Sequence, residues 1–233
     1  MRLAILPAVV LLFAAGCGSP APLYAAQPPS QTVVDGRADD WPQALRPVPR
    51  EAGLSIGLRR SADSLAVVVI AGDERQARRI ALGGLRVWLD PEGGQDRVLG
   101  VRFPAPESLE DRLVYAQSGP DRDLDALRQR FRASLAGVEV SRAGAQPRRL
   151  TVGAVDGLET AATWGPHDLV VEVRLPLAAS PALLPTSAGG ALGVGVELAD
   201  LQRPVRRPDR GAAPGAGPSS VELETVTRWL RLE

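Results

Sequence analysis

Short segments in which apolar and polar residues alternate run through most of this chain, and they constrain its fold more than any other feature. In LRVWLD at 85–90, every second residue is apolar, as in a strand with one face on a core. The segment 64–71 is almost wholly apolar, which is typical of a strand covered on both faces. About ten such segments, separated by Gly- and Pro-rich turns, predict a mainly β protein, an antiparallel and jelly-roll-like β-sandwich. The strands are expected at 53–60, 64–71, 85–90, 98–103, 138–140, 149–152, 158–164, 169–175, 192–198 and 225–232.

One α-helix is expected to be attached to this sandwich, over residues 120–135. Pro120 suits the first helical position, and the apolar residues after it recur at helical spacing. The charged, Ala-containing segment 73–82 is left open between one or two helical turns and a loop. The Pro-, Gly- and Arg-rich stretch 203–220 is expected to be a mobile surface loop.

Residues 1–16 have the features of a lipoprotein signal peptide. Arg2 gives a positive start, and the apolar run that follows is shorter than the ~20 residues needed to cross a bilayer. Ala-Ala-Gly then precedes Cys17, the only cysteine, in a junction that resembles a bacterial lipobox, although Ala14 stands where Leu is usual. Cys17 is therefore predicted to be acylated, with 17–30 as a flexible tether and 31–233 as a single sandwich domain. The protein would then be anchored to a membrane outside the cytoplasm, the outer one if the cell has two.

Composition excludes several classes of function. The formal net charge is zero, so no positive field attracts nucleic acid. Because His167 is the only histidine and Cys17 the only cysteine, neither a histidine-based catalytic triad nor a zinc site of several His or Cys ligands is expected. The chain also lacks a phosphate loop, a dinucleotide fingerprint and a nucleophile elbow. The sequence therefore predicts no metal, no cofactor and no nucleic-acid partner. Calcium binding is left open as a disfavoured alternative at two acidic clusters, the turn 90–96 and Asp35, Asp39 and Asp40.

A resemblance to a known family rests on the order of several short motifs. VDGRADDWP at 34–42 resembles the opening of family 9 carbohydrate-binding modules and their DOMON-like relatives. GLRVWLDP at 84–91, GVRFP at 100–104 and RWL at 228–230 continue this likeness, which is strongest to a group of bacterial secreted proteins with that sandwich. The resemblance implies the fold and a sugar or haem ligand. Haem held by paired Met and His is not expected, because Met1 leaves with the signal peptide.

Two tryptophans are the candidate ligand-binding residues. By alternation, Trp88 shares a strand face with Arg86, and Trp229 shares one with Arg231. Indole faces stack on the C–H edges of sugar rings, and neighbouring arginines supply hydrogen-bond donors. The alternative is that the helix or a loop covers this face and buries both indoles.

The favoured function is a lipid-anchored, noncatalytic binding module outside the cytoplasm, with a carbohydrate as its ligand. The first alternative is an envelope assembly protein that docks a protein partner through a sheet edge or the 203–220 loop. The second is a hydrolase that acts through two facing carboxylates.

Trp41 and Trp164 are expected to close the sandwich by packing at strand ends or turns.

Overall fold

The computed structural model describes residues 32–41, 44–48, 51–105, 124–177, 191–206 and 221–232. The predicted signal peptide, Cys17 and the tether lie outside these residues. The described chain forms eleven strands and two helices, numbered here in chain order. They are β1 (Arg46–Pro47), β2 (Leu54–Arg60), β3 (Ser64–Ala71), α1 (Glu74–Gly83), β4 (Leu85–Asp90), β5 (Leu99–Phe103), α2 (Leu124–Ser134), β6 (Gly137–Arg142), β7 (Arg148–Thr151), β8 (Glu159–Trp164), β9 (Leu169–Pro176), β10 (Leu192–Arg206) and β11 (Val221–Leu232).

Two antiparallel sheets form, which confirms the predicted sandwich. Sheet A has the strand order β1-β2-β3-β9-β8, and sheet B has the order β11-β10-β4-β5-β6-β7. β10 is longer than expected and runs to Arg206, with a register shift against β11 between Asp200 and Pro204. Residues 203–206 of the expected loop are therefore in a strand, whereas 207–220 lie outside the described chain.

The main core lies between the two sheets, because each strand turns its alternate apolar residues towards the other sheet. Val67 and Val171 from sheet A and Val87 and Val194 from sheet B are fully buried there. Complete burial of such a side chain stabilises the fold by about 1.5–3 kcal/mol. The inward faces of both sheets are therefore filled by packed apolar side chains. A functional site can lie only on the outward faces or at the sheet edges.

Two helices pack against this core. Asp73 caps α1, because its Oδ1 accepts the backbone N–H of Gln76 at 2.8 Å, and Ile80 is fully buried. The segment that the sequence left open is therefore a helix. α2 begins at Leu124 in the described chain and buries Phe131, while residues 120–123 of the expected helix lie outside it. Neither described helix has the length and apolar character needed to span a bilayer.

Residues 32–41, here called the N-terminal strap, lie on the outer face of sheet A. Trp41 is 0% exposed and packs there against Val68 and Val170. A Cβ placed on Gly57 would come within 3.0 Å of the Trp41 ring, so the glycine allows the indole to lie close to the sheet. Trp41 therefore covers the outside of a sheet, whereas packing that closes the sandwich was expected of it.

A buried carboxylate holds the strap in place. Glu172 accepts hydrogen bonds from the Trp41 indole N–H at 2.6 Å and from the backbone N–H groups of Gly36 at 2.6 Å and Asp35 at 2.9 Å. Two consecutive backbone N–H groups form a favourable site for an anion. Burial raises the pKa of Glu172 above its usual value, and these three hydrogen bonds oppose part of that rise. The Asp-Gly and Trp of the opening motif thus have a structural role.

Candidate functional site

The two candidate tryptophans lie on one surface, the outer face of sheet B. Gly195 of β10 pairs with Trp88 of β4 on one side and with Trp229 of β11 on the other. Since Gly195 points away from the core, both indoles do so too, two strands or roughly 10 Å apart at the backbone. The structure therefore brings together two residues that are distant in the sequence.

Each of these indoles lies close above a glycine. A Cβ on Gly100 would come within 2.6 Å of the Trp88 ring, and one on Gly195 within 3.0 Å of the Trp229 ring. Real Cβ atoms essentially never come as close as 2.6 Å, and a contact of 3.0 Å requires the neighbouring ring to shift by a few tenths of an ångström. Glycine is therefore strongly favoured at position 100 and more weakly favoured at position 195. The glycines keep the indoles low on the sheet surface.

Polar groups surround the ring of Trp88. Its Nε1–H donates to Oε2 of Glu197 at 2.9 Å, and the guanidinium groups of Arg86 and Arg97 lie 5.3 and 5.4 Å from the ring centroid. The residue is only 7% exposed, whereas Trp229 is partly exposed. Trp88 is therefore buried and held in place, as the alternative interpretation of the sequence predicts for both indoles, and Trp229 is the more accessible indole.

Arginines and glutamates form an ion-pair network across the same strands. Arg86 pairs with Glu139 at 2.5 Å and lies 3.5 Å from Glu197, which also pairs with Arg97 at 2.7 Å. Arg102 is 3.7 Å from Glu139 and completes the chain. The side chain of Arg97 is 52% exposed, so the network has one end in solvent. We call this surface the tryptophan face; its residues are Arg86, Trp88, Arg97, Arg102, Glu139, Glu197, Trp229 and Arg231.

The sequence reasoning missed the glutamates of this network. Alternation along β10 does place Glu197 on the same side as Gly193 and Gly195, opposite the apolar core residues. Its pairing with Arg86 follows only from the antiparallel register of β4 and β10. The sequence pattern therefore indicates the outward orientation of Glu197 but not its contact with Arg86.

The outer face of sheet A carries a matching arrangement. There Trp41 donates its indole N–H to Glu172, and the guanidinium of Arg59 lies 4.8 Å from the Trp41 ring centroid. On sheet B the corresponding tryptophan and glutamate are Trp88 and Glu197. In both cases a buried carboxylate fixes the orientation of an indole, so the Trp88 pair forms the rigid base of the tryptophan face.

Arg231 lies at the rim of the tryptophan face and is exposed. Gly193 pairs with it on one side and with Asp90 on the other. The carboxylate of Asp90 accepts hydrogen bonds from the backbone N–H groups of Glu92 at 3.0 Å and Asp96 at 2.9 Å, and so shapes the turn after β4.

Among the described residues, no group of three or more acidic, His or Cys side chains is placed to hold a metal ion.

Comparison with known proteins identifies no family for this chain. No family model matches it, and no curated protein matches it. Two solved structures of family 9 carbohydrate-binding modules from Caldicellulosiruptor kristjanssonii are similar. The one in complex with glucose has a TM-score of 0.34 and 14% identity, over 73% of this chain and 74% of that one. The one in complex with cellotriose has a TM-score of 0.34 and 12% identity, over 86% and 80%. Likeness at this level assigns neither family nor ligand, so the functional argument rests on the geometry above.

Proposed function

We propose that this protein is a noncatalytic carbohydrate-binding module, held outside the cytoplasm by a lipid on Cys17. The observation that supports the proposal most directly is the tryptophan face. It places Trp88 and Trp229 on one side of one sheet, on either side of Gly195, with arginine and glutamate side chains fixed around Trp88.

The chemistry of a sugar ring matches this surface. A pyranose has an apolar face of C–H groups and a rim of hydroxyls that both donate and accept hydrogen bonds. Trp229 offers a partly exposed apolar platform, while Arg97 and Arg231 offer exposed donors. An apolar surface with a few placed polar groups is the usual composition of a small-ligand site.

Binding is favoured over hydrolysis by the contacts of the carboxylates on this face. Glu139 and Glu197 both contact Arg86, and Glu197 also contacts Arg97 and accepts the indole N–H of Trp88. A glycosidase needs two carboxyl groups that reach the glycosidic bond. The two glutamates are therefore better suited to orient arginines than to cleave a glycosidic bond.

Calorimetric titration of the full chain with glucose and cellotriose, the sugars in the two similar structures, tests the proposal. Trp229→Ala should weaken binding by about 1–3 kcal/mol, or roughly 5- to 150-fold, because it removes the accessible platform. Trp88→Phe should have a smaller effect, since a ring remains above Gly100 while the hydrogen bond to Glu197 is lost.

A matched pair of arginine variants distinguishes a specific contact on the tryptophan face from a general effect of protein charge on sugar affinity. Arg231→Gln removes a donor from the face and should weaken binding. Arg142→Gln removes an exposed arginine at the end of β6 and should leave binding unchanged. Unchanged affinity in a folded Trp229→Ala protein would remove this residue from the site. A wild-type chain that binds no neutral oligosaccharide would overturn the proposal.

A second candidate function, docking of a protein partner, is favoured by the edge of sheet B. β11 is 12 residues long, and among the described strands it pairs only with β10. A long edge strand offers backbone donors and acceptors to another chain. Residues 207–220 connect β10 to β11 in the sequence. Their replacement by a short Gly-Ser linker should abolish the pull-down of a partner that docks on this part of the chain and should preserve sugar binding.

A further inference from the structure

A concave site lies beside α2, at the hairpin that joins β8 to β9. The groove has a volume of about 540 Å³, within the range of ligand sites. It is lined by Asp125, Arg128, Gln129, Arg132, Trp164 and Pro166. We call it the Arg128 groove; none of these residues belongs to the tryptophan face.

The guanidinium of Arg128 is held at a defined place in the groove. It lies 5.5 Å from the ring centroid of Trp164, and its Nη2 donates to the backbone oxygen of Gly165 at 3.3 Å. Its Nε is buried and has no hydrogen-bond acceptor within the described part of the chain. Asp125 approaches Nη1 only to 3.5 Å and is 89% exposed, so it neutralises the cation weakly.

Arg132 adds a second positive charge on the same side of the helix. It follows Arg128 by four residues, which places the two side chains next to each other on an α-helix. Arg132 is exposed and has no ion pair among the described residues. The described residues that line the groove include two arginines and one solvent-exposed aspartate, and the carboxylate of Asp168 lies beside the lining residue Gly165. The lining itself therefore carries a net positive charge, which favours an anionic ligand.

Trp164 gives the groove an apolar wall. Its ring meets the buried ring of Phe131 edge to face, with centroids 5.6 Å apart and an angle of 89° between the planes. Trp164 also packs against the main core and is partly exposed. The indole is therefore held rigidly, next to a fixed guanidinium.

We propose that the Arg128 groove binds a carboxylated sugar unit, such as a uronate residue of an acidic glycan. A planar guanidinium matches a carboxylate in charge and hydrogen-bond geometry, and an indole matches the C–H face of a sugar ring. Gln129 adds a neutral side chain that can both donate to and accept from hydroxyls. The proposal deepens the proposed function and rests on it for the class of ligand, but it uses a different surface.

Calorimetric titration of the full chain with trigalacturonate, and with its methyl ester as a neutral match, tests this site. The acid should bind at least about tenfold more tightly than the ester, and its affinity should fall between about 20 and about 200 mM NaCl. Arg128→Gln should weaken binding of the acid about tenfold or more and leave the ester unchanged. Arg130→Gln is the matched control, since Arg130 is exposed on the same helix but does not line the groove.

Further variants keep the result decisive. If Arg128→Gln does not fold, the exposed Arg132→Gln should still weaken binding of the acid by about three- to tenfold. Equal affinity of the acid for wild type and the folded arginine variants would overturn the proposal, as would absence of trigalacturonate binding at millimolar concentration. Loss of acid binding in Trp229→Ala but not in Arg128→Gln would place the ligand on the tryptophan face and also overturn it. Failure of the proposed function would appear separately, as absence of cellotriose binding.

Discussion

The indole N–H of Trp41 donates a 2.6 Å hydrogen bond to Oε1 of Glu172, a residue 131 positions further along the chain. The same carboxylate binds the backbone of Asp35 and Gly36 through its other oxygen. One buried side chain of β9 thus binds three residues of the strap that precedes the first strand. The strap is an integral layer of the fold.

The first prediction concerns pH and Glu172. Because burial raises the pKa of Glu172, the folded protein keeps a proton there at a pH at which the unfolded chain, with the usual value of 4.5, has lost it. The stability gained from this proton is fully present below the unfolded pKa and is lost as the pH rises through the folded pKa. The difference in unfolding free energy between wild type and Glu172→Gln should therefore shift in favour of wild type as the pH falls from 7 to about 4.

Urea denaturation of both proteins across this pH range provides the measurement. Titration of carboxylates that do not interact with Glu172 affects both chains alike and cancels in the difference. Glu159→Gln is the control, since Glu159 is half-exposed in its ion pair with Arg174 on the same sheet. A wild-type minus Glu172→Gln difference that stays constant with pH would contradict the assignment.

The second prediction concerns the glycines beneath the indoles. Gly100→Ala would place a Cβ 2.6 Å from the Trp88 ring, so the ring must move or the strand must shift. Overpacking of this kind costs about 1–3 kcal/mol, and we expect a matching loss of stability with a change in tryptophan fluorescence. Gly72→Ala, where the nearest atom is 3.5 Å away, should cost much less. Equal stability of the two variants would show that Trp88 is not seated on Gly100.

The third prediction concerns the start of α1. Asp73→Ala removes the acceptor for the backbone N–H of Gln76 and should lower the unfolding free energy by about 1 kcal/mol. Asp73→Asn keeps a capping oxygen and should lie close to wild type. Thermal denaturation followed by circular dichroism measures both; a loss of equal size in the two variants would argue against capping.

The fourth prediction concerns the lipid on Cys17. Cells given an alkyne-labelled fatty acid should yield a labelled, membrane-bound protein, and Cys17→Ser should be unlabelled and absent from the lipoprotein fraction. Ser19→Ala, two residues away, should behave as wild type. Mass spectrometry of an unmodified precursor that retains residues 1–16 would contradict the predicted processing.

The strands of this fold were predictable because their signal is local. β4 spans the predicted 85–90, since alternation over six residues fixes both the strand and its buried side. The helical state of the α1 segment was harder to predict. Most of its residues are Ala or polar residues such as Arg, so few apolar side chains mark a buried face. Its burial of Ile80 depends on the sheets around it, which local pattern does not describe.

The candidate site was predictable only in part. Alternation assigns Trp88 and Arg86 to one side of a strand, and the structure has them in contact. Alternation says nothing about strand order, so the placement of Trp229 two strands from Trp88 required the arrangement β11-β10-β4. The contact of Trp88 with Glu197 joins residues 109 positions apart and lies equally beyond local pattern.

The strap also determines how the molecule would bear a load. Its first described residue, Thr32, hydrogen-bonds Arg59 on the outside of sheet A, whereas the tryptophan face is the outside of sheet B. If the protein is anchored to a membrane through Cys17, a pulling force from the anchor acts on the Glu172 contacts before it acts on the core between the sheets. A glycan bound to the tryptophan face would exert its force on the other side of the sandwich, so the two forces would act across both sheets.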